Sequence, residues 1–166
     1  MCSMLARLAT LRDCAAIALI YNEGIEDRIA TFETQPRSSE DVRAWFDGIH
    51  PLVVIEAAGQ VVAFAATFGY RPRQCYAGIA EVSVYVSRSG RRRGAGRADL
   101  EALILEAEKR GFWKLVSRIF PENIDSRKLV ESVGFREAGI YRKHGKLDGE
   151  WRDVVIVERL IAVNLT

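Results

Sequence analysis

The chain predicts a mixed α/β fold in one domain spanning residues 1–166. Three observations carry that expectation. Apolar runs of strand length are interspersed with amphipathic helical stretches, antiparallel hairpins fall towards both ends, and a strict strand–helix alternation is missing. The last point disfavours a doubly wound nucleotide fold. About seven strands in a mostly antiparallel sheet and about four helices are expected, and 166 residues suffice to bury a real core.

In order, "SMLARLAT" reads as a short strand. Thr10 or Asp13 then opens a helix to about Glu23, with Ala16, Ile17, Leu19 and Ile20 as its apolar stripe. "GIEDRIATFETQPRS" reads as irregular. "SSEDVRAWFDGI" is a second helix, capped by Ser38 or Ser39 with acids in its first turn. "PLVVIEAAGQVVAFAATFGY" is a hairpin turning near Gly59-Gln60, and "RPRQCYAG" a loop. In the strand "IAEVSVYV", period 2 puts Glu81, Ser83 and Tyr85 on one face and Val82, Val84 and Val86 on the other. A helix from about Gly96 to Arg110, the strand "FWKLVSRIF", the helix "DSRKLVESVG" stopped by Gly134, and the strands "FREAGIYRKHG" and "WRDVVIVERLI" complete the chain.

Twenty-four basic residues against 22 acidic ones leave a net charge of only +2. A nucleic-acid partner would call for a larger excess, so the arginine cluster at Arg91–Arg93 needs a local partner. Cys2, Cys14 and Cys75 form no pair with metal-ligand spacing, and no metal is expected. Cys14 reads as a core residue. No stretch has the length of a membrane span and the start lacks a signal-peptide core, so a cytoplasmic protein without a membrane partner is expected.

"VYVSRSGRRRGAGRADLEAL" carries the chemistry. The segment "RRRGAG" leaves a strand and opens a helix, where backbone N–H groups and the helix dipole favour an anion. Gly94 and Gly96 are expected to supply positive φ values and close backbone approach, while Arg91, Arg92 and Arg93 add charge. The loop is neither a Walker A motif nor G-x-G-x-x-G. Taken alone, it fits an anion cradle and a basic helix start equally well.

R-x-x-G-x-G at Arg91–Gly96, between strand and helix, resembles the acetyl-CoA pyrophosphate loop of the GCN5-related N-acetyltransferase superfamily. A second element follows. "NIDSRKLVESVGF" is similar to that superfamily's N-x-x-S/A pattern ending in G-F, at Asn123, Ser126, Gly134 and Phe135. "IYNEGIEDRIATFET", "YRPRQCYAGIAEVSVYV", "FPENIDSRKL" and "GKLDGEWRDVVIVERL" resemble the phosphinothricin N-acetyltransferase branch over most of the chain. "EGIEDRIATFET" with "YRPR" looks most like the arsinothricin resistance N-acetyltransferases, which acetylate the α-amine of a glutamate-like antibiotic.

The resemblance implies a sheet splayed at the cofactor site and acetyl-CoA as co-substrate. Its pantetheine arm would lie on backbone groups around Val84 and Val86, and its pyrophosphate on Arg91, Arg92, Arg93, Gly94, Ala95, Gly96 and Arg97. Asn123 would hydrogen-bond the cofactor and Ser126 border it. Glu81 matches the branch's glutamate base. Its apolar neighbours Ala80 and Val82 argue for desolvation, and against pairing with an arginine. Arg71 and Arg73 are expected to grip an acceptor oxyanion, with Phe32, Glu33, Thr34 and Tyr85 bordering the same pocket.

One position departs from the pattern. Val130 stands where many relatives place a tyrosine or histidine, so protonation of the thiolate falls to water, Ser126 or Tyr141, or does not occur. Broader acceptors such as methionine sulfoximine or sulfone, or a non-catalytic acyl-CoA-binding domain, remain alternatives. A homodimer follows from the branch.

Overall fold

The computed structural model describes residues 3–166 and contains one seven-stranded sheet with four α-helices; Cys2 lies outside the described residues. The strands are β1 (Met4–Leu8), β2 (Leu52–Ala57), β3 (Gln60–Gly69), β4 (Ile79–Val86), β5 (Lys114–Ile119), β6 (Arg136–Leu147) and β7 (Glu150–Leu160). The helices are α1 (Cys14–Asp27), α2 (Ser39–Arg43), α3 (Ala95–Lys109) and α4 (Ile124–Ser132). Strand order is β1-β2-β3-β4-β5-β7-β6, and every pairing is antiparallel except β4 with β5. The expected mostly antiparallel sheet is therefore what forms.

Two cores lie on opposite faces. Val82, Leu100, Leu103, Leu115, Val130, Phe135 and Val155 pack together beneath α3 and α4. Cys14, Ile17, Ile20, Val42, Val54 and Phe64 pack beneath α1 and α2. Period 2 in β4 thus sends Val82 to one core and Tyr85 to the other.

Helix bounds differ from expectation at two places. α1 runs on to Asp27 rather than ending near Glu23, because Gly24 and Ile25 are buried and Arg28, at φ 57, supplies the left-handed cap. α2 stops at Arg43 instead of including Trp45, although Ser38 and Asp41 form the expected capping box. Trp45 turns instead into the aromatic cluster formed with Tyr21, Phe64 and Phe68.

The feature that positions the site is a divergence. β5 pairs with β4 only over Ile79–Glu81. Beyond Glu81 the two strands part, although β4 continues to Val86 and β5 to Ile119. Ser117 Oγ donates to the Val82 carbonyl at 2.8 Å, the last cross-link before the gap.

Candidate active site

The gap opens into three adjoining cavities. On the α1 side lies one of about 410 Å³, walled by Tyr21, Phe32, Trp45, Phe64, Phe68 and Tyr85, with Glu81 and Arg118 at its inner end. A constriction of about 50 Å³ follows between β4 and β5, bordered by Ser83, Val84, Arg118, Ser126 and Val130. On the far side a cleft of about 570 Å³ runs along Val84–Val86 to the arginine-glycine loop and α4. Neighbouring cavities share Ala30 and Tyr85, so the three form one path through the sheet.

The cleft fits an acyl-CoA pyrophosphate. Gly94 caps α3 at φ 82, and the helix's unpaired N–H groups open beside Arg91, Arg92 and Arg97. Gly96 is different from what positive φ would require. It lies inside α3 and is buried; a Cβ there would meet Leu129 Cδ2 at 3.0 Å and Val86 Cγ2 at 3.3 Å. Its role is close packing of α3 on β4 and α4, which seats the loop. The left-handed residues of the loop are Arg92, at φ 61, and Gly94.

The loop arginines are already oriented. Arg91 pairs with Asp27 at 2.5 Å and donates through Nε to the Val86 carbonyl at 3.4 Å. Arg88 donates to Glu26 and Asp27 at 2.9 Å each, tying the loop to the end of α1. Burial works against it, but hydrogen bonds from Arg88 and Arg91 hold the Asp27 carboxyl below its ordinary range. Arg97 pairs with Glu101 along α3. Arg93 is exposed and is not on the cleft wall.

Asn123 lines the cleft, yet its side chain is engaged by protein: Oδ1 accepts from Ser126 N at 3.2 Å as the α4 cap, and Nδ2 donates to the Ile29 carbonyl. It joins α4 to the segment after α1. Ser126 faces both cleft and constriction. Val130 is buried in the core at the constriction's edge. Tyr141, by contrast, is exposed on β6 against His144 and lines none of these cavities.

Glu81 requires a correction. Its carboxylate stands 3.0 Å from Arg118 Nη2, the arginine partner that the apolar neighbours argued against, and its side chain is 29 % exposed. The apolar neighbours Ala80 and Val82 face the opposite core and say nothing of the face Glu81 occupies. Arg118 was not anticipated. The signal was present: Glu81 registers with Val116, so period 2 puts Arg118 on the face of Glu81 once β4 and β5 are known to be neighbours.

The acceptor wall is also different in part. Phe32, Glu33 and Tyr85 line the large cavity as expected, whereas Thr34 does not; Thr31 does. Arg71 and Arg73 are not on the wall. They lie on the exposed β3–β4 loop, each guanidinium over a tyrosine ring, Tyr70 and Tyr76 respectively. Their loop does leave β3 just after Phe68, a wall residue that registers with Glu81. The arginines within the cavity are Arg118 and Arg37, the latter paired with Glu33 at 2.9 Å. Asn22 fixes the Arg37 backbone through two hydrogen bonds, of 2.8 and 2.9 Å, and so holds the 28–38 segment over the opening. Burial pushes the phenol of Tyr85 well above its usual range and raises that of Tyr21, so both rings present neutral hydroxyls.

Strands that part at a carboxylate, with an anion loop on one side and an amphipathic pocket on the other, define an enzyme that passes an acyl group from a CoA thioester to an amine. The chain belongs to the GNAT acetyltransferases: the family model described as Acetyltransferase (GNAT) domain matches residues 6–156. It is similar to the L-methionine sulfoximine/L-methionine sulfone acetyltransferase of Pseudomonas aeruginosa, 32% identical over 92% of this chain and 91% of that protein. The phosphinothricin N-acetyltransferase of Streptomyces viridochromogenes is 31% identical over 92% of this chain and 85% of that one. The crystal structure of a phosphinothricin acetyltransferase from Sinorhizobium meliloti in complex with acetyl-CoA superimposes with a TM-score of 0.87 at 28% identity, covering 95% and 88% of the two chains. The protein is an acetyl-CoA-dependent N-acetyltransferase.

Proposed function

We propose that this enzyme acetylates the α-amino group of a glutamate-like antibiotic whose side chain ends in a tetrahedral oxyanion, arsinothricin before phosphinothricin, and thereby detoxifies it. The carrying observation is the position of Glu81, a carboxylate that lines the aromatic cavity at the point where the strands part. The names of the relatives, which act on phosphinothricin and on methionine sulfoximine or sulfone, support the amino-acid class. The likeness of "EGIEDRIATFET" and "YRPR" to the arsinothricin branch supports the first-named acceptor.

Acetyl-CoA, when bound, supplies the activated acetyl thioester. The protein's own groups do the rest. Arg91, Arg92, Arg97 and the backbone of Gly94–Gly96 hold the pyrophosphate, and backbone groups of Val84 and Val86 align the pantetheine arm. Glu81 takes a proton from the α-ammonium, directly or through one water, leaving the neutral nucleophile that acyl transfer needs. Backbone N–H groups near Val84 serve as oxyanion donors. Arg71 and Arg73 reach the side-chain oxyanion from the rim by leaving their tyrosine stacks.

The aromatic walls favour a second reading with broader acceptors, since Trp45, Phe64, Phe68 and Tyr85 suit a methyl sulfone or sulfoximine equally well. A homodimer is also proposed. β6 is the last strand of the sheet and is exposed along most of its length, with Ile140 and Tyr141 open on it and Trp151 exposed on β7 nearer the hairpin turn, opposite Lys146.

Thioester consumption with acetyl-CoA over a panel of arsinothricin, phosphinothricin, methionine sulfoximine and methionine sulfone tests the reading. The highest kcat/KM is expected for arsinothricin; a higher value for the sulfone would put the broad reading first.

A further inference from the structure

We infer that the Glu81–Arg118 ion pair is the receptor for the zwitterionic head of an α-amino acid, Arg118 taking the α-carboxylate while Glu81 faces the α-ammonium. This assignment rests on the reading that an α-amine is acetylated. The two residues come from different strands: Glu81 stands at the last position where β4 and β5 pair, opposite Val116, and Arg118 lies two residues further along β5. Their charged ends stand 3.0 Å apart. An α-amino acid carries an ammonium and a carboxylate on one carbon, so its two charges stand similarly close together. Laid against the pair with its polarity reversed, it meets an opposite charge at each end.

The location agrees. Both side chains line the acceptor cavity, and Arg118 also borders the constriction leading to the cofactor cleft, where an attacking amine has to stand. They are 29 % and 45 % exposed, so an incoming ligand can reach them, and neither has another charged partner among the described residues. An exposed pair of this kind contributes little to folding, which leaves it available for exchange. A guanidinium also presents a planar fork that takes a carboxylate through two parallel hydrogen bonds, as a lysine cannot. When the α-carboxylate occupies Arg118, the Glu81 carboxylate is released towards the ammonium whose proton it accepts. Selection of the α-amine and readiness of the base thus arise in one event.

The test compares methionine sulfone with 3-(methylsulfonyl)propylamine, the same molecule without its α-carboxylate, in wild type, Arg118→Lys and Arg118→Ala. The wild type is expected to prefer the amino acid, and Arg118→Ala to shrink that preference in kcat/KM roughly 10- to 100-fold, the loss of a charge-assisted contact. Arg118→Lys should retain part of it. Acetyl-CoA affinity measured by calorimetry should stay normal in both variants, showing a folded protein. A wild type without preference, or an Arg118→Ala enzyme that loses both acceptors in the same proportion, would overturn the assignment while leaving acetyl transfer to amines intact. Absence of turnover with any amino acid of the panel, in wild type, would instead overturn the underlying reading and this assignment with it.

Discussion

Gly96 and Leu129 close the seam between α3 and α4: a Cβ on the glycine would stand 3.0 Å from Leu129 Cδ2, with Val86 Cγ2 at 3.3 Å behind it. Gly96→Val should push α3 off this seam and move the loop at its N-terminus. An overpacking cost of about 1–3 kcal/mol in stability is expected, together with a loss of acetyl-CoA affinity of tenfold or more. Denaturant unfolding and calorimetry measure the two. Near-normal affinity in folded Gly96→Val would remove the loop's dependence on this packing.

Gly94 makes a different demand. Its φ is 82 but a Cβ would enter open space. Gly94→Asn should bind acetyl-CoA nearly as well as wild type, since asparagine tolerates the left-handed region, while Gly94→Val should weaken binding by the roughly 1–2 kcal/mol of left-handed strain. Equal affinities in the two variants would show that conformation is not what the loop requires.

Glu81→Ala should lower kcat by about 10²-fold or more and leave acetyl-CoA affinity in place. The deficit should shrink as pH rises, because free amine then forms without assistance. A pH–rate profile from 6 to 9.5 checks this; normal turnover at neutral pH would assign the deprotonation elsewhere.

For the acceptor, Arg71→Ala or Arg73→Ala should each cost about 10- to 100-fold in kcat/KM for an acceptor with a side-chain oxyanion, and far less for methionine sulfone. Equal losses on the two acceptor types would mean that the loop only shapes the rim.

Asp99 and Asp13 make opposite contributions to the dependence of stability on pH. Asp99 is fully buried in α3, neither carboxyl oxygen makes a well-formed hydrogen bond, and burial, only partly offset by the nearby Ala65 backbone N–H, raises its carboxyl well above the ordinary range. A raised group stabilises fully below its unfolded value, near 3.8, and loses that contribution as pH climbs towards the folded value. Asp99→Leu should therefore gain stability over wild type as pH rises from about 4, by about 1–3 kcal/mol near neutrality. Hydrogen bonds from Arg7 lower the Asp13 carboxyl, so its contribution is present above about 3.8 and disappears as pH falls further. Asp13→Asn should be destabilised at neutral pH and converge with wild type in acid. Thermal melts from pH 3 to 8 check both; a pH-independent difference for Asp99→Leu would mean that its carboxyl does not titrate abnormally.

What the sequence determined by itself was local. The alternation in β4, the left-handed glycine at Gly94, the Ser38 cap and the two-part motif at Arg91–Gly96 and Asn123–Phe135 all depend on residues within a few positions of one another, and each was legible. The tertiary structure decided which strands meet. β4 and β5 are joined through α3, and their parallel contact, only three residues long, both opens the cleft and brings Arg118 to Glu81. No local pattern around Ala80–Val82 encodes a guanidinium supplied from 37 positions away. In the same way Arg37 and Trp45 enter the acceptor wall because α1, α2 and the 28–38 segment fold over one sheet face, while Arg71 and Arg73 rest on their own loop's tyrosines. Side-chain direction follows from backbone period, but a side chain's partner follows from sheet order, and sheet order is settled by burying two cores at once.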